Sequence, residues 1–273
     1  MKLDIVDLNV DKYKVNLSVD DNEKIGVFSF KKDIVKKFLE LISGINNNKN
    51  TIFLNQNNVY DNKEYFKERI FLDFNKKYLS TLRVQKIYDS LKQYNIEFDK
   101  DKFIKICKEL NVRGETDISY KYEFSKVGVS FVNLALVCSC NIKNIIINNP
   151  TINLILDEDI NYFVNKLTNE EFNTVILGLN SLNQFQNKLT KILIFSDFDE
   201  AYVVDENTSL IAFENDIDRH FLIKNKLFRG NKLICLNTLS KDDLKNYQRM
   251  KVRFDIINIY EIEKYLGDDN EKN

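Results

Sequence analysis

The chain has 273 residues, 44% of them apolar, with 40 basic and 41 acidic side chains for a net charge of −1. That is enough for one large domain or two modest ones around a buried core, and the balanced charge excludes a dominant electrostatic pull toward nucleic acid or anionic membrane. The opening MKLDIVDLNV lacks a long apolar core behind a basic start, and no later stretch approaches the roughly 18 apolar residues of a membrane span, so a cytoplasmic protein is expected. Cys107, Cys138, Cys140 and Cys235 form no CxxC pair and have only His220 to assist them, so buried reduced thiols are expected rather than a metal site. Lys, Asn, Ile, Phe and Tyr are abundant, with seven glycines, one proline and no tryptophan, a bias attributed to AT-rich coding.

Residues 1–10 and 12–19 alternate as strands, and polar residues at 20–24 form the next turn. Residues 25–30 (IGVFSF) form a short apolar strand. Residues 31–43 carry Ile34, Val35, Phe38, Leu39, Leu41 and Ile42 on a helical stripe that Gly44 is placed to stop. Strands follow at 51–54 and 69–73, with a helical turn at 64–67. From 78 to 124 the pattern turns helical, strongest at 84–94 and 100–110. A further apolar helix at 125–139 leads into Ile145, Ile146 and Ile147, a run too apolar to face water on either side, which predicts a strand of a parallel sheet. Asn148, Asn149, Pro150 and Thr151 end it at the chain's only proline. Helix is expected at 159–167, strand at 174–179, helix at 182–189, and a closing strand pair at 191–195 and 201–205. Beyond these, strands at 210–213, 233–236 and 252–254, helices at 241–248 and 258–266, and a frayed tail at 268–273 complete the reading.

Several of these points share one register. Phe124-Ser125 precedes the isoleucine strand, Asn148 follows Ser125 by 23 residues, and Pro150-Thr151 comes directly after the two amides. Upstream lies IGVFSFKKDIVKKFLELISG, Asn75 follows RIFLDF, and Asn180 follows the 174–179 strand. In this order the chain resembles the nucleotide-binding subunit of ATP-binding-cassette (ABC) transporters over roughly residues 1–205. Ser125 stands where the LSGGQ signature begins, Pro150-Thr151 where a Walker B D-E-P-T ends, residues 25–44 where the strand, phosphate loop and helix lie, Asn75 at the Q-loop glutamine and Asn180 at the switch histidine. The resemblance implies an α/β, P-loop NTPase-like core with a helical subdomain at about 78–124, followed by a small C-terminal α/β extension at 206–273.

The same register shows what the family's chemistry would lack. A phosphate loop needs glycines that turn backbone amides toward phosphate, a lysine for the β and γ phosphates and a hydroxyl for magnesium. Here the glycine positions hold Ser29, Lys32 and Ile34, the lysine position Val35 and the hydroxyl position Lys36. Lys31, Lys32, Lys36 and Lys37 remain as a vestigial basic helix start. Asn148 and Asn149 replace the magnesium-holding and water-activating carboxylates, and an amide cannot act as a general base. A rival register would use Asp157 and Glu158 as those carboxylates, but it puts them too far from Ser125. Otherwise both acids simply begin the next helix. Only Ser125 survives of the signature, Ile155 stands at the D-loop aspartate, and Tyr13 falls at the family's adenine-stacking aromatic.

The expectation is thus a degenerate ABC-type subunit without a catalytic residue, bound ATP or metal. It would pair with itself or with an active ABC ATPase subunit and dock on a membrane permease at the inner face of the membrane, through the cleft between the Asn75 loop and the helical subdomain. Two rivals stand beside it. One is a working ATPase that binds ATP and magnesium through an intact paralogue's site, or through Lys36 with Asp157 and Glu158. The other is a cytosolic scaffold without a transporter.

Overall fold

The computed structural model describes residues 2–45, 51–59, 65, 68–79, 84–110, 126–169, 171–214, 217 and 223–266. The two alternating stretches form β1 (Leu3–Val10) and β2 (Tyr13–Val19), an antiparallel pair with a register shift between Ile5 and Leu8 where Asp7 takes a positive φ. Next come β3 (Lys24–Phe28) and α1 (Lys32–Ile42), which ends at Gly44 with φ 78° and its N–H on the Leu41 carbonyl. After β4 (Ile52–Leu54), β5 (Asn57–Asn58) and β6 (Arg69–Asp73), the chain forms α2 (Val84–Lys92), α3 (Lys100–Glu109) and α4 (Lys126–Ser139). Then follow β7 (Asn144–Asn148), α5 (Asp157–Thr168), β8 (Thr174–Leu179), β9 (Lys191–Phe195) and β10 (Ala201–Val204). The last part holds β11 (Ser209–Glu214), β12 (Lys226–Arg229), β13 (Lys232–Leu236), α6 (Lys241–Arg249), β14 (Phe254–Asn258) and α7 (Ile262–Leu266).

Six strands make the central sheet in the order β10-β9-β3-β8-β7-β6, parallel except for β10 at one edge. The isoleucine run lies in β7, where every residue from Asn144 to Asn148 is buried. Alternate side chains serve opposite cores. Ile146 and Ile176 face α1 and the β1–β2 layer, while Ile145, Ile147, Val175 and Leu177 join the core that includes α3, α4 and α5. A small antiparallel sheet, β2-β1-β4-β5, covers the α1 side. A second, β12-β13-β11-β14, is built from the last part of the chain.

Three expectations need correction. Residues 182–189 form no helix; a single 3₁₀ turn, Asn183–Phe185, is followed by Asn187 in the left-handed region at φ 59°. Leu182, Phe185 and Leu189 are all buried, so their helix-like spacing comes from a loop folded onto the core. The strand placed at 252–254 starts only at Phe254 and runs to Asn258, because Lys251 takes a left-handed turn before it. The helix at 258–266 opens as a 3₁₀ turn, Ile259–Glu261, with a capping box on Asn258. β12 was not anticipated, since four residues carry too little alternation to announce a strand. The turn at 64–67 falls mostly outside the described residues, as do 80–83 and 111–124 of the helical stretch, residue 125 of the following helix and the tail from 267.

Gly178 sets how closely α1 lies on the sheet. In register between Val27 of β3 and Asn148 of β7, it has no side chain, and a Cβ there would meet Leu39 Cδ1 at 2.7 Å, Asn148 Oδ1 at 2.8 Å and Val35 Cγ1 at 2.8 Å. Gly178→Ala is expected to lower stability by about 1–3 kcal/mol through overpacking, read from the urea midpoint; an unchanged midpoint would contradict this close approach. Cys107, Cys138 and Cys140 are buried, and burial pushes each thiol up to about 12. At pH 8 they are expected to resist a disulfide reagent in the native protein and to react fully in denaturant, because only the thiolate attacks.

Candidate functional site at the carboxyl edge of the sheet

In an open parallel sheet, ligands bind where the strands deliver their carboxyl ends, and here the loops after β3, β6, β7, β8 and β9 meet. Residues 29–31, after β3, are all that separate strand from helix. Ser29 is buried, donates its hydroxyl to the Phe195 carbonyl at 3.2 Å and receives the Lys31 N–H at 3.1 Å. Helix α1 has already begun at Lys32, so Lys32, Asp33 and Ile34 form its first turn instead of an open loop. Val35 and Ile34 point into the core, whereas Lys31, Lys32 and Lys37 are exposed and Lys36 is half-buried. Lys37 pairs with Asp11 at 2.8 Å, an exposed contact that raises the lysine's pKa.

Phe30 fills the space beside this short link. Its ring packs edge-to-face on Phe28 at 5.0 Å and on Phe228 of β12 at 4.7 Å, and Phe28 meets Phe228 at 5.9 Å. No sequence pattern pointed to Phe228, which comes from nearly 200 residues downstream.

Asn148 ends β7 only 3% exposed, its side-chain oxygen beside Gly178, Val35 and Leu39 under α1. Asn149 follows in the left-handed region at φ 54° and donates its N–H to the Gly178 carbonyl at 3.0 Å. Asparagine tolerates that conformation better than any residue but glycine, so the turn itself accounts for Asn149. Pro150 is buried, and Thr151 donates its hydroxyl to Gln184 Oε1 at 2.5 Å. Asn153 donates to Ser130 Oγ on α4 at 3.0 Å. The alternative strand ending in Asp157 and Glu158 does not form; both are exposed residues of the first turn of α5. Ile155 and Leu156 just before it are 86% and 63% exposed.

Asn75 is exposed and folds back on β6, giving its N–H and its side-chain amide to Asp73 Oδ1 at 3.1 and 3.0 Å. Asp73 is 2% exposed and in register with Asn148, a buried carboxylate at this edge that the sequence reading missed. Its oxygen is committed to the Asn75 turn, a local pattern that the D-x-N spacing could have announced. Asn133 of α4 ties the same loop by donating to the Lys76 carbonyl at 2.9 Å. Asn180 is half-buried after β8, and next to it Ser181 Oγ and the Leu182 N–H both donate to the Glu263 carboxylate of α7, at 2.8 and 2.7 Å.

Tyr13 is not on a surface. Its ring is fully buried, edge-on to Phe195 at 5.1 Å, with its hydroxyl on the Ser196 carbonyl at 2.8 Å, so no face is open to a base. The edge therefore brings together the β3–α1 link, Asn148, Asn149, Asn180 and Asn75, and leaves Tyr13 in the core. Ser125 and His220 lie outside the described residues. Among the described residues, no group of three or more His, Cys, Asp or Glu side chains could hold a metal ion.

A six-stranded, mostly parallel sheet with the β3–α1 link at its centre, a helical region inserted between β6 and β7 and an antiparallel layer on the α1 side defines a P-loop NTPase-type architecture. Solved structures make the assignment more specific. An ABC transporter ATP-binding protein from Pyrococcus furiosus aligns at 17% identity over 67% of this chain and 93% of its own, with a TM-score of 0.52. A dimeric ATP-binding cassette in a post-hydrolysis state with ADP and Pi aligns at 15% identity over 74% and 98%, with a TM-score of 0.55. A cobalt transport ATP-binding protein aligns at 14% identity over 88% and 93%, with a TM-score of 0.56. The sequence matches no family model and no curated protein. The chain has the ABC ATPase fold.

The conformation of Asn149 gives a direct check. Asn149→Gly is expected to leave stability within about 0.5 kcal/mol, while Asn149→Ala costs about 1 kcal/mol by placing a Cβ in the left-handed region. Equal stabilities of the two variants, by thermal or urea unfolding, would show that the turn is not what holds an asparagine there.

Proposed function

We propose that this chain is an ABC-transporter ATP-binding-subunit-like protein that keeps the shape of the family and has lost its hydrolytic chemistry. The carrying observation is the β3–α1 link, where a helix that starts at Lys32, a buried Val35 and the Phe30 ring stand where a triphosphate would need open backbone amides and a free lysine. Asn148 supports the same reading, since a neutral amide packed under α1 holds no charge for magnesium and moves no proton. Four lysines at the start of α1 supply positive charge without the geometry to grip phosphate.

In this reading the chain acts through its surfaces. It dimerises with a second copy or with an active ABC ATPase subunit and docks on a membrane permease through the cleft between the Asn75 loop and the helical region. Two features favour dimerisation at the carboxyl edge. Ile152, Ile155 and Leu156 are exposed apolar side chains next to Asp157 and Glu158, while Lys31, Lys32 and Lys36 have no ion pair among the described residues. Such surface apolar groups rimmed by charge mark interaction sites, and the opposite charges suit a pairing of these two patches.

Titration of the purified protein with fluorescent ATP and magnesium is expected to show no saturable binding up to millimolar nucleotide. The double variant Asn148→Asp, Asn149→Glu is expected to remain without ATPase activity, because the β3–α1 link is unchanged in it. Saturable micromolar binding would overturn the inactive reading. Affinity capture from solubilised membranes is expected to bring down a multi-span membrane protein; recovery of the chain only from the soluble fraction would favour a scaffold instead.

A further inference from the structure

The loops that follow β9, β3 and β8, three neighbours in the central sheet, are each held by the last part of the chain. At β9, the Asp197 N–H donates to the Leu227 carbonyl at 2.8 Å, and the Asp197 carboxylate accepts the Arg229 N–H at 3.3 Å. At β3, the fully buried Phe228 ring closes a three-ring cluster with Phe28 and Phe30. At β8, Glu263 binds Ser181 Oγ with one oxygen and the Leu182 N–H with the other. Between these ties the apolar interior is unbroken. Phe28, Leu179 and Leu182 belong to the same buried cluster as Leu227, Phe228 and Ile262.

We infer that the module of β11 to β14 and α7 is a built-in ligand of the carboxyl edge, an intramolecular plug that holds the β3–α1 and β8–β9 loops in one conformation through contacts of the chain itself. Elsewhere in this fold class a bound phosphate can satisfy the amides of such a loop. Here the Lys31 N–H is satisfied by Ser29 and the Leu182 N–H by Glu263, and the apolar space is filled by Phe30 and Phe228. The two kinds of tie act differently. The aromatic cluster excludes water and fixes Phe30 by shape, whereas the Glu263 carboxylate accepts two hydrogen bonds as a charged acceptor, a stronger arrangement than a neutral amide would give. Occupancy of the ends of β3, β8 and β9 by the chain itself stands apart from whether the protein docks on a permease.

Hydrogen exchange on the full chain without nucleotide tests the plug. In Phe228→Ala, amides of residues 29–35 and 181–186 are expected to exchange at least tenfold faster, together with those of β12, while β1 and β2 keep wild-type protection. Phe228→Leu, which keeps most of the apolar volume, and Glu263→Gln, which keeps the shape and removes the charge, serve where the alanine variant does not fold. Glu263→Gln is expected to loosen residues 181–186 more than residues 29–35, and Phe228→Leu the reverse. Wild-type protection of both loops in folded variants, with faster exchange confined to β12 and α7, would overturn the inference. The nucleotide titration reads the loss of catalysis separately, since exchange here is measured with no ligand present.

Discussion

The approach of α1 to the bare backbone of Gly178 governs the carboxyl edge. Because Val35 and Leu39 press on that glycine from one side and Asn148 from another, the orientation of α1 about its own axis is set. A helix turns about 100° per residue, so with Val35 and Leu39 against the sheet Lys36 sits at the side, half-buried, and Lys37 points away to solvent. The same packing holds Asn148 under the helix, where an amide is tolerated and an unpaired charge would be costly. Position 148 thus works as part of the helix–sheet contact.

Polar groups at this edge are satisfied by one another. Asn75 closes on Asp73, Thr151 on Gln184, Asn153 on Ser130 and Asn133 on the Lys76 carbonyl. A phosphate site needs several donors aimed at one empty point, and donors already paired inside the chain do not converge on a ligand. The two α4 contacts also tie the helical region to the loops after β6 and β7. The last part of the chain adds apolar continuity on the other side of the edge, so burial and hydrogen bonding agree on a closed arrangement.

Much of the fold could be read from local pattern. Ile145, Ile146 and Ile147 announced a strand buried on both faces, the stripe from Ile34 to Ile42 announced a one-sided helix, and Gly44 marked its end. These signals are strong because apolar period and a single left-handed glycine act over a few residues. Spacing failed at residues 182–189, where Leu182, Phe185 and Leu189 are buried by a loop, and at β12, which is too short to show alternation. At the site, the structure places Asn148, Asn149, Asn75 and Asn180 at one edge, at or just after the ends of β7, β6 and β8. Tyr13 was misplaced, since an aromatic in an alternating strand packs into a core as readily as it faces a ligand. Asn149 carries a second meaning that residue type alone does not separate, because asparagine is both a neutral replacement for an acid and a favoured left-handed turn residue.

By itself the sequence determined the order of the central strands, the helix α1 between β3 and β4, the burial of the isoleucine strand on both faces and the absence of carboxylates after it, all properties of neighbouring residues. Tertiary structure decided what occupies the carboxyl edge. Phe30 meets Phe228, Ser181 and Leu182 meet Glu263, and Asp197 meets Leu227 and Arg229 across separations of 30 to about 200 residues. No period or motif links such positions; they are joined only because the apolar surface of the last strands is buried against the ends of β3, β8 and β9, and burial depends on the whole folded chain.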